Sequence, residues 1–322
     1  MKVFVAGATG AVGAPLVRVL VDAGHEVVGT TRSPAKLDRI RAMGAEAVVM
    51  EGLDAEGVRR AVLDARPEVV VHQMTDLTGF TDVRRFAVAF ASTNRLRTGG
   101  TDHLLAAARE AGTSRFVAQS FASWPYERSG GWVKTEEDPF DPDAPAEVRS
   151  TLDAIRHLER AVLGAEGIEG IVLRYGGFYG PGTSMAAEGS IVETVRRRRF
   201  PIAGPGTGVW SFVHVEDAAS ATLLAIQRGV PGVYNVVDDE PAPVSVWLPA
   251  LAEIVGAKPP RRVPAWVGRL LAGEHVLVML NEIRGASNAK ARRELGWTPR
   301  YPSWRDGFRA TFGGQDLRSA AA

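Results

Sequence analysis

The stretch Met1-Lys2-Val3-Phe4-Val5-Ala6-Gly7-Ala8-Thr9-Gly10-Ala11-Val12-Gly13 decides the reading of this chain. Residues 3–6 form a short apolar run with β-branched Val3 and Val5, which predicts a buried strand. Gly7, Gly10 and Gly13 follow at three-residue steps. Residues 14–21 then read as a helix whose first turn tolerates Pro15. Strand, glycine turn and helix in that order form a phosphate cradle. Glycines let the backbone turn sharply and approach an anion closely. The helix start adds unpaired N–H groups and a partial positive charge. A glycine triplet alone is a weak signal, and one set between a strand and a helix is strong. Thr9, Ala11 and Val12 complete the candidate cradle around Gly7, Gly10 and Gly13.

Working outward, residues 25–31, 45–50, 68–72, 115–120 and 167–174 read as further strands. Helices are expected over 33–43, 55–65, 91–111 and 152–163, and Gly24 is a left-handed cap for the first helix. Alternating strands and helices imply a parallel sheet with right-handed crossovers. With the glycine turn first, the fold class is α/β, a doubly wound parallel sheet of the Rossmann kind with its ligand at the carboxyl ends of the strands. Beyond Arg174, glycine and proline cluster at Gly176-Gly177, Gly180-Pro181-Gly182 and Gly204-Pro205-Gly206. Helical segments then dominate at 244–255, 265–271, 275–283 and 290–295. The expected organisation is a dinucleotide-binding domain over 1–175 and a smaller, mostly helical substrate lobe over 176–314. Some sheet is contributed from around 209–236, and 315–322 is a frayed tail.

The 322 residues suffice for one large domain or two smaller ones. At 45% hydrophobic and 23% charged, the composition is that of a globular protein. A net charge of +1 offers no global electrostatic case for nucleic acid or a membrane surface. There are no cysteines, which excludes disulfides, thiolate metal sites and a cysteine nucleophile. No His/Asp/Glu set shows metal-ligand spacing, so no metal is expected. A first strand starting at residue 2 leaves no room for a signal peptide, and no apolar run reaches membrane-span length. The expected location is the cytoplasm. The expected partner is a small-molecule substrate, with room for a homodimer and with neither nucleic acid nor membrane.

The chain resembles an extended short-chain dehydrogenase/reductase of the NAD-dependent epimerase/dehydratase type. The residues that carry the resemblance run from end to end. Gly7-Ala8-Thr9-Gly10-Ala11-Val12-Gly13 matches the glycine motif, and Leu173-Arg174 with Phe178-Tyr179-Gly180-Pro181-Gly182 matches the segment after the sixth strand. Trp210 to Ala219 resembles the strand and helix that follow. Asn288-Ala289-Lys290 with Glu294-Leu295-Gly296-Trp297-Thr298-Pro299 resembles the C-terminal signature. The resemblance implies a nicotinamide dinucleotide lined by Leu53, by His72, Gln73 and Met74 at the fourth strand end, and by Tyr175.

The same resemblance implies a catalytic tyrosine and a lysine four residues later on the helix after the fifth strand. Counting back from Glu159 puts Thr151 at the tyrosine position and Ile155 at the lysine position. Neither residue replaces the pair, so the usual tyrosinate mechanism is not available there. Tyr126, with Lys134 eight residues on, is the alternative acid, or else a loop aromatic packed on Trp124. The assisting serine aligns with either Ser120 or Phe121. Ser120, Tyr126 and Thr151 are the candidate catalytic residues. Gly177 stands where sugar-nucleotide enzymes of the family carry an asparagine, and the loss of that amide argues against such a substrate. His157, His214 and Asp153 read as packing, capping or solvated positions, and Arg196 to Arg199 as a solvated helix end.

NAD-binding members of this fold end the second strand on an acid that binds the ribose hydroxyls. Here the strand ends Gly29-Thr30-Thr31-Arg32-Ser33. Arg32 is a fixed cation suited to a phosphate, with Thr31 and Lys36 beside it. The expected cofactor is therefore NADP rather than NAD. The expected function is an NADP-dependent oxidoreductase acting on a small non-sugar carbonyl or hydroxyl compound with a non-standard acid/base group. The alternatives are a catalytically silent NADP-binding sensor or partner protein, and an isomerase or lyase on the same fold.

Overall fold

The structure is a computed structural model that describes residues 1–77 and 86–313. The 315–322 segment expected to fray lies outside the described residues. Seven strands build one sheet: β1 (Lys2–Ala6), β2 (Glu26–Thr31), β3 (Glu46–Val49), β4 (Val69–His72), β5 (Arg115–Phe121), β6 (Glu169–Tyr175) and β7 (Gly232–Val236). Their order is β7-β6-β5-β4-β1-β2-β3, and every neighbouring pair is parallel. The winding reverses between β1 and β4, and that reversal opens a crevice at the carboxyl ends of the strands. The doubly wound sheet expected from the sequence is the one observed.

The helices of the first part are α1 (Gly13–Asp22), α2 (Leu37–Arg41), α3 (Ala55–Ala65), α4 (Phe86–Arg95), α5 (Thr101–Glu110) and α6 (Ala146–Leu163). Next come α7 (Ser190–Arg196) and α8 (Val215–Arg228). One sheet face is covered by α1 and α8, through Leu16, Val17, Leu20, Ala218, Ala221 and Ala225. The other is covered by α3, α5 and α6, through Val58, Val62, Leu104, Ala108, Leu158 and Val162. Covered on both faces, β1 and β4 read as unbroken apolar runs rather than alternating ones.

Around a separate core of Phe212, Trp247, Trp304 and Phe308 lie α9 (Val244–Ile254), α10 (Ala265–Ala272), α11 (Glu274–Asn281) and α12 (Trp304–Phe312). Gly177–Tyr179 pairs in parallel with Phe212–His214 and ties this region to the sheet's edge. Of the sheet expected near 209–236, β7 lies in the main sheet and Val209–Trp210 forms a two-residue ladder with Ala242–Pro243.

Two helices differ from expectation. α6 begins at Ala146, several residues before the expected start, because Val148 and Leu152 pack on Phe86 at its first turns. The helix expected over 91–111 already runs at Phe86, the first described residue after 77, and is interrupted by a π turn at Leu96–Gly100. The side chains of Thr98 and Thr101 donate back to the carbonyls of Asn94 and Arg97 at 3.0 and 2.7 Å there. Such wide turns concentrate at functional sites.

His72 fastens that turn to the sheet. Its Nδ1 accepts the Met74 N–H at 3.2 Å, so Nε2 carries the proton and donates to the Leu96 carbonyl at 3.2 Å. Burial lowers its pKa from 6.5 to about 4, and the nearby Arg97 charge pushes the same way. The folded protein therefore binds fewer protons here than the unfolded chain between those two values. Stability is full above pH 6.5 and falls as pH drops towards 4, by about 3 kcal/mol for this group. Urea unfolding at pH 7 and pH 5 measures it, and His72→Gln is expected to flatten that part of the pH dependence.

Candidate active site

The glycine turn sits at the mouth of the crevice, and its three glycines divide the work. Gly7 has φ +96°, and a Cβ there would lie 2.8 Å from the Gln73 carbonyl oxygen. A Cβ on Gly13 would lie 2.1 Å from the Gly7 oxygen. These two glycines let the backbone of β1, α1 and the β4 end come together. Gly10 is exposed and meets only the Gly7 oxygen, at 3.3 Å. A side chain at Gly10 would project into the space over the helix start. There the N–H groups of Ala11, Val12 and Gly13 find no acceptor among the described residues, and Val12 caps α1 without a side-chain bond. No acid occupies the first turn of α1. Unpaired donors and an uncovered positive helix end suit a pyrophosphate. Buried Gln73 adds an Oε1 without a partner, while its Nε2 donates to the Tyr175 hydroxyl at 3.2 Å. Gly182 approaches Ala11 from the lobe side, closing over the cradle.

At the ribose end, the Thr31 hydroxyl accepts the Ser33 N–H at 3.2 Å and lies 3.5 Å from the Thr9 hydroxyl. Arg32 does not stand without an acid. Asp76, from the loop after β4, grips its guanidinium with both oxygens at 2.8 and 3.1 Å. That hydrogen bond and charge raise the Arg32 pKa further. The sequence reading took the strand end to be free of acid, and the acid comes from forty-four residues away. Lys36 is exposed in the next turn, and Leu53 sits half-buried in the turn after β3.

At the β4 end, Met74 lies against the Gly52 turn and Leu96. His72, expected to line the cofactor, has both ring nitrogens engaged by backbone groups. Tyr175 is buried, shares a 2.6 Å hydrogen bond with Thr222, and has its pKa pushed up to about 12 by that burial. Neither side chain has a polar atom left to offer a ligand, unlike Gln73.

The acid/base candidates are likewise engaged. Thr151 is fully buried in the seam between α4 and α6, where its hydroxyl accepts from Asn94 Nδ2 at 3.0 Å. Ile155, one turn on, is also buried. Ser120 donates to Glu159 at 2.6 Å, and Glu159 forms a two-pronged ion pair with Arg174 at 2.6 and 2.9 Å. Tyr126 accepts from Arg174 at 3.1 Å and donates to Asn235 at 2.6 Å. Burial pushes its pKa up to about 12. Ser120, the candidate assisting serine, and Tyr126, the candidate acid, thus belong to a buried network joining β5, α6, β6 and β7. Their hydroxyl protons already have acceptors. Tyr126 lies 6.1 Å from the Phe140 ring, a partner other than the Trp124 expected. Lys134 pairs with Asp138 rather than with Tyr126. His157 meets Asp102 at 2.8 Å, His214 caps α8 through Glu216, and Asp153 pairs with Arg156.

The family model for NAD dependent epimerase/dehydratase proteins matches residues 3–236. The chain belongs to this family. A 3-diazoavenalumate denitrifying reductase from Streptomyces sp is 46% identical over 96% of this chain and 99% of its own length. A 2-alkyl-3-oxoalkanoate reductase from Stenotrophomonas maltophilia is 28% identical, with coverage of 80% and 76%. Among solved structures, a Thermus thermophilus UDP-glucose 4-epimerase in complex with NAD superposes with TM-score 0.73 at 25% identity, over 97% of each chain. The chain is accordingly an oxidoreductase of the epimerase/dehydratase family that uses a nicotinamide dinucleotide.

Within that family setting, three neighbours of the expected residues escaped the sequence reading: Asp76 at Arg32, Asn94 at Thr151 and Arg97 near His72. For Asp76 no local signal exists, since its partner is distant in sequence. For Asn94 and Arg97 there was one. Phe86, Phe90, Asn94 and Arg97 recur at helical spacing, so one stripe of α4 passes from aromatic to polar as it reaches the sheet.

The division among the glycines is testable. Gly10→Val is expected to leave the melting temperature nearly unchanged and weaken dinucleotide binding by at least about tenfold, by displacing a charge-assisted contact. Gly13→Val is expected to unfold or strongly destabilise the protein, because a Cβ there overlaps backbone. Calorimetric titration and thermal melts separate the two outcomes.

Proposed function

We propose that this protein is an NADP-dependent reductase of a small, non-sugar, aromatic acceptor, and that the acceptor is an aryl diazo compound. The observation that carries the reading is the seam at Thr151 and Ile155, which holds no proton donor of useful acidity. A dinucleotide held in the glycine cradle supplies hydride. A ketone taking hydride also needs a proton on oxygen, and this chain's Thr151, Ser120 and Tyr126 protons are poorly placed to supply one. An aryl diazonium taking hydride becomes the arene and releases dinitrogen. The hydride brings both electrons and the single hydrogen of the new C–H bond, so no acid is required.

The 46% identical relative is named for a denitrifying reductase of a diazo compound, which supports this acceptor class. The aromatic cluster supports an arene. Phe86 stacks on Phe90 with centroids 4.1 Å apart and meets Trp124 edge-on at 6.1 Å, beside a small cavity lined also by Val148 and His275. A carbonyl acceptor is the second reading, favoured by the oxoalkanoate reductase among the relatives.

Anaerobic mixing of the protein and NADPH with an ortho-hydroxyaryl diazonium tests the choice. One dinitrogen released per NADPH consumed, above the protein-free rate, is expected. Thr151→Val is expected to keep that rate within about threefold, since general acid catalysis would contribute about a hundredfold or more. NADPH consumption with ketones alone supports the carbonyl reading instead.

The preference for NADP rests on Arg32, and Asp76 sets its size. With Arg32 present, the pair is near neutral and a 2′-phosphate can draw the guanidinium towards itself. With Arg32 gone, Asp76 repels that phosphate and accepts from a ribose hydroxyl. The parent is expected to prefer NADP by about tenfold. Asp76→Asn is expected to enlarge that preference, and Arg32→Ala to reverse it in favour of NAD. Titration of both nucleotides into all three proteins reads the order directly.

A further inference from the structure

The π turn carries a guanidinium that nothing among the described residues neutralises. Arg97 is 5% exposed, forms no ion pair among the described residues, and its Nη1 has no hydrogen-bond partner. One turn earlier on the same stripe, Asn94 Oδ1 is also buried without a partner. Asn94 Nδ2 is fixed by Thr151, so the amide presents its oxygen in a set direction. Burial lowers the Arg97 pKa only to about 10, so the group stays charged at neutral pH. The same charge, after burial, helps to hold His72 neutral. An isolated buried cation is strongly unfavourable unless an anion completes it. The helix that leads into the π turn also carries Phe90 and Phe86, which cluster with Trp124. A buried cation close in sequence to this aromatic cluster is complementary to an aromatic body bearing one anionic oxygen group.

We propose that Arg97 is the anchor for the carboxylate carried by the aromatic substrate. This deepens the reductase reading, and rests on it only in taking the ligand to be the substrate. An oxyanion at this site has two sources, an aryl acid and the phosphates of the dinucleotide.

Binding in the absence of turnover tells them apart. 4-Coumarate, its methyl ester and NADP are each titrated into the parent and into Arg97→Met, with NADP also present when the aryl ligands are measured. Coumarate is expected to bind the parent at least about tenfold more tightly than the ester, and Arg97→Met to erase that difference. NADP affinity is expected to stay within about twofold. Ligand-free Arg97→Met is expected to melt about 2–4 °C higher than the parent, because it removes an unpaired buried charge. A residue kept for folding alone would move that melt downward. Arg97→Lys, which keeps the charge, is expected to retain part of the coumarate preference. Equal binding of coumarate and ester by the parent overturns the proposal. So does a loss confined to NADP in Arg97→Met, which assigns the anion to the cofactor. Absence of diazo reduction with these binding results intact counts against the reductase reading and leaves the anchor standing.

Discussion

The buried ion pair between Glu159 and Arg174 governs how this family fold is used here. Both side chains are only 7% exposed, and their two hydrogen bonds are joined by Ser120 and Tyr126. Removing one member of such a pair strands a charge in the interior, at about 3–5 kcal/mol. The pair locks α6 against β5 and β6, and through Tyr126 and Asn235 it reaches β7. It thereby fixes the α4–α6 seam opposite. It also commits the two hydroxyls nearest the expected acid/base position to structure. The chemistry left to the site is that of the nicotinamide dinucleotide.

Much of the fold could be read from the sequence because its causes are local. Val3-Phe4-Val5-Ala6 followed by the glycine turn identifies β1 and α1, and the helix over 55–65 agrees residue for residue. The departures came where tertiary contacts decide. α6 starts early because Phe86 gives Val148 something to pack on. The π turn arises within a sequence that reads as ordinary helix, held by Thr98, Thr101 and His72. The absence of the tyrosine and lysine was legible as Thr151 and Ile155. What replaced their role was not, because hydroxyl availability depends on partners far along the chain. Ser120 and Tyr126 look free in sequence and are taken in space. Arg32 looks free and is held by Asp76.

Charge follows the same logic at both ends of the crevice. Arg32 is exposed and already paired, so its effect on a ligand is a competition screened by solvent. Arg97 is buried with no ion pair among the described residues, so an anion reaching it would meet a charge little screened by solvent. Equal formal charges thus act on very different scales, and burial rather than residue type ranks them. No helix among the described residues is long and apolar enough to cross a membrane.

The position of β7 carries a consequence for how the chain becomes a protein. It pairs with β6 in a register that sets Gly232 opposite Ile171, so more than fifty residues intervene between two adjacent strands. Trp297, later still, packs under α8 and donates to Ser220 at 3.1 Å. A nascent chain therefore carries an open edge at β6 until β7 has been made, and an incompletely covered sheet face until Ala291, Leu295 and Trp297 emerge. Long-range closure of this kind slows folding and leaves apolar surface open to other chains meanwhile. For this protein, the order of synthesis makes the nucleotide cradle early and its finished sheet late.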